Sequence, residues 1–219
     1  MWNYAHAHKG LRVLVAYEGR RPVGQIEFLP IEYAPYPVTG QDLFFIDCLT
    51  VAAGARRRGI GSALLEACEG EVQQHATGVA VVTHPASPFM PTEFFEHRGF
   101  ATVAERDNAR LMCKAWAVAE PPEFLPQRYT SQLHPGKVTV DFFWCGQCPW
   151  LVRTRERLQR VARQMGEAVV VHEVNTDDRA TVEQLGLADG FFINGRSAFA
   201  FPPTEAQIRE ALEAALKTN

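Results

Sequence analysis

The sequence has no long apolar run and no long run of charge of one sign. Nowhere do about 18 uncharged apolar residues occur together, the length that a membrane span needs, and the first ten residues lack the apolar stretch of a signal peptide. The 22 Lys and Arg residues nearly balance the 25 Asp and Glu residues, and the longest basic run is Arg56-Arg57-Arg58. We therefore expect neither nucleic acid nor a membrane as a partner, and we expect a cytoplasmic protein with small-molecule ligands.

Cysteine is also scarce. Five cysteines, an odd number in 219 residues, argue against a disulfide framework and for core or reactive thiols. Cys68 and Cys113 fall on the apolar faces of predicted elements and are expected in the core. Only Cys145 and Cys148 are closely paired in the sequence.

The first half of the chain has the pattern of a strand-rich segment with one long helix. Two apolar stretches separated by a Gly- and Pro-containing turn predict a hairpin, and apolar residues at helical spacing begin at Ile60. The predicted strands are residues 11–17, 23–31, 43–51, 79–83, 100–105 and 109–115, and a short helix is predicted at 92–97.

A second α/β pattern follows a proline-rich stretch. Because four prolines occur there without periodicity, we expect a linker at residues 117–136, between domains at residues 1–116 and 137–219. Strands that alternate with helices at this spacing predict an α/β layer fold. The predicted strands are residues 138–143, 168–174, 191–194 and 197–201, and the predicted helices are 150–165, 181–185 and 204–216.

A basic, glycine-containing turn joins the strand at 43–51 to the helix that follows it. The N–H groups that open a helix lack intrahelical partners, and the helix dipole adds partial positive charge there. Gly59 and Gly61 let the backbone approach a pyrophosphate, and the three arginines at 56–58 add charge around it. The spacing by itself fits two interpretations equally well, an anion site and a solvated arginine turn with packing glycines.

Residues 11–115 resemble the GNAT superfamily of N-acetyltransferases. The resemblance lies in the strand ending Leu49-Thr50-Val51, in the basic turn after it, and in the downstream run Phe94-Phe95-Glu96-His97-Arg98-Gly99-Phe100. It implies an α+β fold with a mixed sheet and helices, and acetyl-CoA as the cosubstrate. It also implies that Leu49, Thr50 and Val51 face the pantetheine arm. The pyrophosphate would be held by the backbone of Arg56, Arg57, Arg58, Gly59, Ile60, Gly61 and Ser62.

Asp47 is the leading candidate for the general base, because many relatives keep a carboxylate at this place on the strand. The alternative is that Asp47 is a half-exposed residue at a strand edge. Strand alternation puts the neighbouring Cys48 on the other face. Phe95 stands where many relatives have a tyrosine, and it has no proton to donate to the CoA thiolate.

The resemblance also raises the question of the acceptor pocket. The superfamily fold usually begins with a strand and two helices, and only ten residues precede Leu11. We therefore expect the acceptor pocket to lack one wall, or to receive it from the second domain. Two domains with separate tasks are the alternative.

The second domain carries the run Trp144-Cys145-Gly146-Gln147-Cys148-Pro149 between a strand and a helix. This placement predicts that Cys145 lies near the first helical turn as a stabilised thiolate, and that Cys148, one turn on, faces it as a resolving thiol. A zinc site needs four ligands, and His134 and His172 are expected to be isolated. We therefore expect no zinc, while softer thiophilic metals and two inert cysteines stay open as alternatives.

Residues 137–217 resemble a thioredoxin-like domain, and residues 191–196 resemble the strand and turn after the active-site loop of glutaredoxins. Asp189 stands where that family has a cis-proline. A GNAT module followed by a short thioredoxin-like module resembles the YoaP-like acetyltransferase family. The fold class predicted for the chain is thus α/β (α+β), with a GNAT-type domain followed by a thioredoxin-like domain.

The predicted function is acetyl transfer from acetyl-CoA to a small amine or thiol, coupled to a thiol domain that uses Cys145 and Cys148. The alternative is a thiol redox or thiophilic-metal-binding protein with a CoA-binding scaffold domain. The expected partners are a small-molecule acceptor and, in a homodimer, a second copy of the chain.

Overall fold

The computed structural model describes residues 2–85, 90–200 and 202–218, without the side chains of residues 2–4. The chain divides into two compact units. The N-terminal unit comprises Asn3–Ala34 and Val38–Leu125, and the C-terminal unit is formed mainly by Pro126–Asn219. In the described ranges, no helix combines the length and the apolarity needed to cross a membrane.

The N-terminal unit is built on a mixed six-stranded sheet. The strands are ordered β1-β2-β4-β5-β7-β6, and every neighbouring pair is antiparallel except β4 and β5, which are parallel. This agrees with the predicted α+β class for the first half of the chain. The elements are α1 (Trp2–Ala7), β1 (Arg12–Glu18), β2 (Arg21–Pro30), β3 (Val38–Thr39), β4 (Leu43–Val51), α2 (Ile60–Val72), β5 (Gly78–Thr83), α3 (Thr92–Glu96), β6 (Ala101–Arg106), β7 (Ala109–Ala115) and β8 (Glu123–Phe124).

The core of this unit lies between α2 and one face of the sheet. Helix α2 buries Leu64, Leu65, Cys68 and Val72, at the spacing of one helical face. They pack in one cluster with strand residues such as Ile26 and with Phe95 of α3 and Phe100 just after it. The predicted core position of Cys68 is confirmed, since its side chain is fully buried.

Three small elements are not predicted by the sequence pattern. Helix α1 has six residues, and strands β3 and β8 form a sheet of two residues each. Elements of this length carry fewer than two periods of an apolar pattern, so no repeat is present for periodicity to reveal. Strand β8 lies within residues 117–136, where we expected a linker without regular structure.

The C-terminal unit has a mixed four-stranded sheet in the order β10-β9-β11-β12. Strand β9 is parallel to β10 and antiparallel to β11, and β11 is antiparallel to β12. The α/β class predicted for this segment is confirmed. The elements are β9 (Val138–Trp144), α4 (Pro149–Met165), β10 (Val169–Asn175), α5 (Arg179–Leu185), β11 (Gly190–Ile193), β12 (Arg196–Ser197) and α6 (Glu205–Lys217).

The two faces of β9 have different roles. Val138, Val140 and Phe142 belong to a cluster that also contains apolar residues of α4 and α6. The alternate residues, Asp141 among them, are also buried although they point to the other face. A strand buried on both faces reads as a continuous apolar run, so a carboxylate within it stands out.

The predicted strand at 197–201 is wrong beyond Ser197, because β12 ends there. Pro202 and Pro203 follow closely and have no N–H group to donate to a ladder. Phe199 instead packs edge-on against Phe191, with ring centroids 5.0 Å apart. Phe201 lies outside the described residues.

Candidate functional site

The parallel pair β4–β5 opens halfway along β4. The two strands are paired from Leu43 with Gly78 to Ile46 with Val81, and the pairing ends there. Beyond Ile46, β4 continues to Val51 and is paired only with β2. The sheet therefore has a gap between its two halves, and Asp47 is the first β4 residue at the gap.

Asp47 is also the extra residue of a β-bulge. Glu27 on β2 is opposite Cys48, and the next residue, Phe28, is opposite Ile46, so Asp47 has no opposite residue in the register. A bulge breaks the strict alternation of side chains and often lies beside an active site. Asp47 and Cys48 would point to opposite faces in a regular strand, but β4 is not regular at this point.

The core contacts confirm that the bulge shifts the register. Ile46 and Leu49 both pack against the cluster under α2, although three positions separate them. In an unbroken strand, residues on one face are separated by an even number of positions. Asp47 is partly buried, neither exposed like Thr50 nor fully buried like Ile46.

A second carboxylate lies close to this point and was missed by the sequence analysis. Glu27 is 4% exposed, and Gln25 Nε2 donates a hydrogen bond of 2.8 Å to its Oε1. Glu27 is the register partner of Cys48 on the neighbouring strand. The signal available in the sequence was a carboxylate between the apolar residues Ile26 and Phe28 of β2.

The loop after β4 ends in an open helix start. Gly59 is the N-cap of α2, with φ of 80° in the left-handed region, which glycine adopts at little cost. The first intrahelical bond runs from Ala63 N to Gly59 O, at 3.0 Å. The N–H groups of Ile60, Gly61 and Ser62 precede that bond, so they can serve as donors to an anion.

The three arginines of this loop differ in their contacts. Arg56 Nε donates to the carbonyl oxygen of Val51, at 3.1 Å. Arg58 forms an ion pair of 2.5 Å with Glu18, and this contact lowers the pKa of Glu18 below its ordinary value. Arg57 has a φ of 58°, unusual for a residue other than glycine. Two of the three charges are thus partly engaged in holding the loop.

The residues before the loop lie on two faces. Leu49 packs on the core under α2, and Thr50 is exposed. Val51 lies near Gly61: a Cβ built on Gly61 would be 3.7 Å from a methyl group of Val51. The same Cβ would be 3.4 Å from the ring of Phe94.

Phe94 and Phe95 separate into a surface ring and a core ring. Phe95 is fully buried, and its ring makes edge contacts with those of Phe94 and Phe100. Phe94 carries the guanidinium of Arg98 on its face at 3.7 Å, and Arg98 also donates to the Ser62 hydroxyl. Phe95 is thus a packing residue.

The Cys-x-x-Cys run lies before the helix and not in its first turn. Helix α4 begins at Pro149, and Cys148 is its N-cap with extended backbone angles. Proline disfavours helical angles in the residue before it, so Pro149 fixes this boundary. Cys148 therefore adjoins the helix start, Cys145 lies three residues earlier in the loop, and the expected one-turn helical spacing between them is wrong. Both side chains are partly buried.

Asp177, after β10, holds the loop between the two cysteines. Its Oδ1 accepts a hydrogen bond of 2.6 Å from Gly146 N, and its Oδ2 accepts one of 3.1 Å from Asn175 Nδ2. A Cβ on Gly146 would be 3.2 Å from Asp177 Oδ2, so this contact is close. At Asp189, where the thioredoxin-like family has its cis-proline, the backbone is trans, like every peptide bond of the described residues.

His134 and His172 are adjacent, so the expectation that they are isolated is wrong. Their Nε2 atoms are 3.2 Å apart. Residue 172 is placed by the register of β10 on β9, which is a long-range property that sequence spacing does not contain. This pair is distinct from the Cys-x-x-Cys run, and no group of three or more candidate metal ligands occurs among the described residues.

Most of the N-terminal unit matches a family of known proteins. Residues 9–102 match the family model described as "Acetyltransferase (GNAT) domain". The chain is 27% identical over 148 residues to the uncharacterized N-acetyltransferase YoaP of Bacillus subtilis (strain 168), covering 64% of this chain and 57% of that protein. The chain thus spans a little more than half the length of this curated relative.

Solved structures similar to the chain are also acetyltransferases by name. One is the PaiA N-acetyltransferase of Thermoplasma acidophilum in complex with coenzyme A, with 16% identity and a TM-score of 0.43, covering 51% of this chain and 65% of that one. Another is a GNAT family acetyltransferase of Brucella melitensis in complex with acetyl-CoA, with 20% identity and a TM-score of 0.41, covering 55% and 69%.

Proposed function

We propose that this protein, in which residues 9–102 form a GNAT acetyltransferase domain, transfers the acetyl group of acetyl-CoA to a small amine or thiol. The domain is that of an acyltransferase, and the name N-acetyltransferase of the relative YoaP supports an amine as acceptor. The observation that carries the proposal is the gap between β4 and β5 beyond Ile46, at the strand that leads to the open start of α2.

The phosphates of acetyl-CoA would bind at the start of α2. The N–H groups of Ile60, Gly61 and Ser62 and the helix dipole attract a pyrophosphate, and Arg57 adds positive charge. The pantetheine arm would run along β4 from Val51 towards Asp47, where the strand has no parallel neighbour. This direction brings the thioester to the bulge.

Asp47 would act as the general base. The acceptor amine must lose a proton as it attacks the acetyl carbonyl, and a carboxylate at the gap can take that proton directly or through water. Glu27 on the neighbouring strand is the second carboxylate in reach of this role, since it is the register partner of Cys48. Phe95 is buried and takes no part in proton transfer.

The test is calorimetric titration of the full chain with acetyl-CoA, followed by turnover against a panel of amines and thiols. We expect saturable binding, and release of CoA with at least one acceptor. No measurable binding at millimolar ligand would disprove the proposal. Binding without turnover on a broad panel would contradict the transfer step and favour a CoA sensor.

We also propose a thioredoxin-like thiol function for the C-terminal unit. The observations that favour it are the β-α-β-α-β-β-α order of the unit and the Cys-x-x-Cys run at the end of β9, with Cys148 as the N-cap of α4. A helix start stabilises a thiolate next to it. Alkylation of Cys145 and Cys148 across pH tests it, since ordinary pKa values near 8.5 for both thiols would contradict it.

A further inference from the structure

A histidine pair at the edge of the C-terminal sheet has the arrangement of two metal ligands. The Nε2 atoms of His134 and His172 are 3.2 Å apart, and the two rings are tilted by 54° with centroids at 5.2 Å. His172 is on the edge strand β10. His134 is exposed, and the His172 side chain is 33% exposed, so a solvated ion can reach both nitrogens.

A buried carboxylate fixes one of these rings. Asp141, whose side chain is 0% exposed, is the register partner of His172 on β9. Its Oδ1 is 2.8 Å from His172 Nδ1, and its Oδ2 accepts a hydrogen bond from the Ser131 hydroxyl. A neutral His172 that donates from Nδ1 to the carboxylate leaves the lone pair on Nε2, on the side of His134.

Tyr129 completes the surroundings of the carboxylate. Burial, together with a hydrogen bond to Asp141 and its charge, raises the pKa of Tyr129 to about 12. The phenol therefore remains a donor at neutral pH, and Asp141 is held by three side chains. Such support keeps a ligand ring in one orientation, which is the usual role of a carboxylate behind a metal-bound histidine.

We propose that His134 and His172 bind one divalent transition metal ion of the zinc class through their Nε2 atoms, with Asp141 as the positioning residue of His172. Two nitrogens that each bind zinc at 2.0–2.1 Å in tetrahedral geometry lie about 3.3 Å apart. The observed separation of 3.2 Å requires almost no rearrangement. Imidazole nitrogen is a ligand that suits zinc, copper and nickel.

The proposed site keeps open coordination positions. No third His, Cys, Asp or Glu joins the pair within the described ranges. Water or a ligand from solution would fill the remaining positions, as in catalytic or exchangeable sites and unlike closed structural ones. We therefore expect reversible binding that is weaker than that of a four-ligand zinc site.

Metal binding differs from the hydrogen bond in what the two Nε2 atoms supply. Without metal, the short contact needs an N–H on one of the two Nε2 atoms and a lone pair on the other. With metal, both Nε2 atoms supply lone pairs, so the neutral ring that carried its proton on Nε2 must carry it on Nδ1 instead. This change of tautomer releases no proton to solvent.

The site is also separate from the cysteines. Asp141 lies in the middle of β9 and Cys145 follows the end of the strand, four positions later, which corresponds to about 13 Å along an extended chain. The paired thiols bind the same metals, so the experiment is done on the full chain with Cys145→Ser and Cys148→Ser. Thermal melting and circular dichroism confirm that each variant is folded.

The experiment titrates this protein with Zn²⁺ and, in parallel, follows the shift of its melting temperature. We expect one ion per chain and a rise in melting temperature. His134→Ala should weaken binding at least tenfold without loss of fold, because this side chain is exposed. His172→Ala should do the same, and Asp141→Asn should weaken binding by about tenfold or more if folded.

His75→Ala is the matched control, because it removes an exposed histidine from the N-terminal unit. Its zinc affinity should equal that of the parent. Absence of heat and of a melting shift at about 1 mM Zn²⁺ would overturn the proposal. Equal affinity in the parent, His134→Ala and His172→Ala would also overturn it.

Discussion

The two units share one connection, a strand that leads through a short loop into a helix. The residues that begin the helix differ between them. Between β4 and α2, the N-cap is Gly59 and the first helical residues keep their N–H groups. Between β9 and α4, the N-cap is Cys148 and the first helical residue is Pro149, which has no N–H group. One helix start offers backbone donors, and the other presents a sulfur.

The loops are also held in different ways. The first loop is held by its arginine side chains, which contact Val51 at the end of β4 and Glu18 at the end of β1. The second loop is held through its backbone, since Gly146 N donates to Asp177 after β10. The comparison teaches that the residue at the N-cap, more than the strand–helix connection, decides which ligand chemistry a helix start supports.

The largest effect is expected from a substitution in the first turn of α2. Gly61→Val should lower acetyl-CoA affinity by about 100-fold or more, about 3 kcal/mol. A Cβ at residue 61 would already make contacts of 3.7 Å with Val51 and 3.4 Å with Phe94, so the two further methyl groups would crowd the helix start at which the pyrophosphate is proposed to bind. Calorimetric titration measures the change.

Two variants sharpen this result. Gly61→Ala adds one atom at ordinary contact distance and should retain more affinity than Gly61→Val. Arg56→Ala should cost less than tenfold, because Arg57 and the helix dipole remain. Equal, small losses in Gly61→Val and Arg56→Ala would mean that the start of α2 is not the phosphate site.

The next effect concerns the gap beside β4. Asp47→Asn should keep acetyl-CoA affinity and lower kcat by about 100-fold, because it removes basicity and retains shape. Steady-state kinetics across pH provide the measurement. Glu27→Gln is the matched variant on the neighbouring strand. A larger loss in Glu27→Gln than in Asp47→Asn would transfer the base role to Glu27.

Thiol reactivity compares the two units directly. Burial raises the pKa of Cys68 far above its ordinary value, and burial also raises the pKa of Cys113. Iodoacetamide at pH 8 should therefore label Cys145 and Cys148 at least tenfold faster than the buried Cys68 and the partly buried Cys113. Mass spectrometry of the peptides gives the four rates, and labelling after denaturation is the control.

The raised pKa of Cys68 has a consequence for stability. The folded state keeps the thiol neutral, so its contribution to the free energy of unfolding is present below the ordinary thiol pKa near 8.5 and is lost as pH rises above it. Urea unfolding between pH 7 and 10 should show a decline that Cys68→Ala reduces. A pH-independent curve in that range would contradict the burial argument.

The smallest effect is expected from a substitution that removes a contact of the loop between β9 and α4. Asp177→Ala should lower the free energy of unfolding of the C-terminal unit by about 1 kcal/mol, since it removes the acceptor of Gly146 N. Urea unfolding followed by tryptophan fluorescence measures it. Asp177→Asn retains an acceptor oxygen and should lose less. Equal stability in Asp177→Ala and the parent would show that the loop is held by other contacts.

Much of the fold could be predicted because its elements carry full periods of a pattern. Strand β4 and the start of α2 fall at the predicted residues, Leu43 to Val51 and Ile60. The boundary of α4 was predicted one residue late, although Pro149 itself marks it. Pro149 also indicates an extended Cys148, and this signal was overlooked.

The remaining features depend on pairing between distant residues. The bulge at Asp47 is a property of the register between β2 and β4, and the meeting of His134 with His172 depends on the register of β10 on β9. A single strand gives the order of side chains along one chain, but it does not give the offset of its neighbour. The sequence shows that Glu27 and Asp141 are carboxylates within predicted strands, but it does not show which residues they contact.

The bulge on β4 makes the strand tolerant of a change in length at one point. Ile46 and Leu49 contact the same core although three positions separate them, because Asp47 is an additional residue between them. Deleting residue 47 would restore regular alternation and leave Leu49 two positions after Ile46, on the same core face. The deletion would therefore remove the carboxylate and the bulge together, whereas a one-residue deletion elsewhere in this end of β4 would turn the residues beyond it to the opposite face.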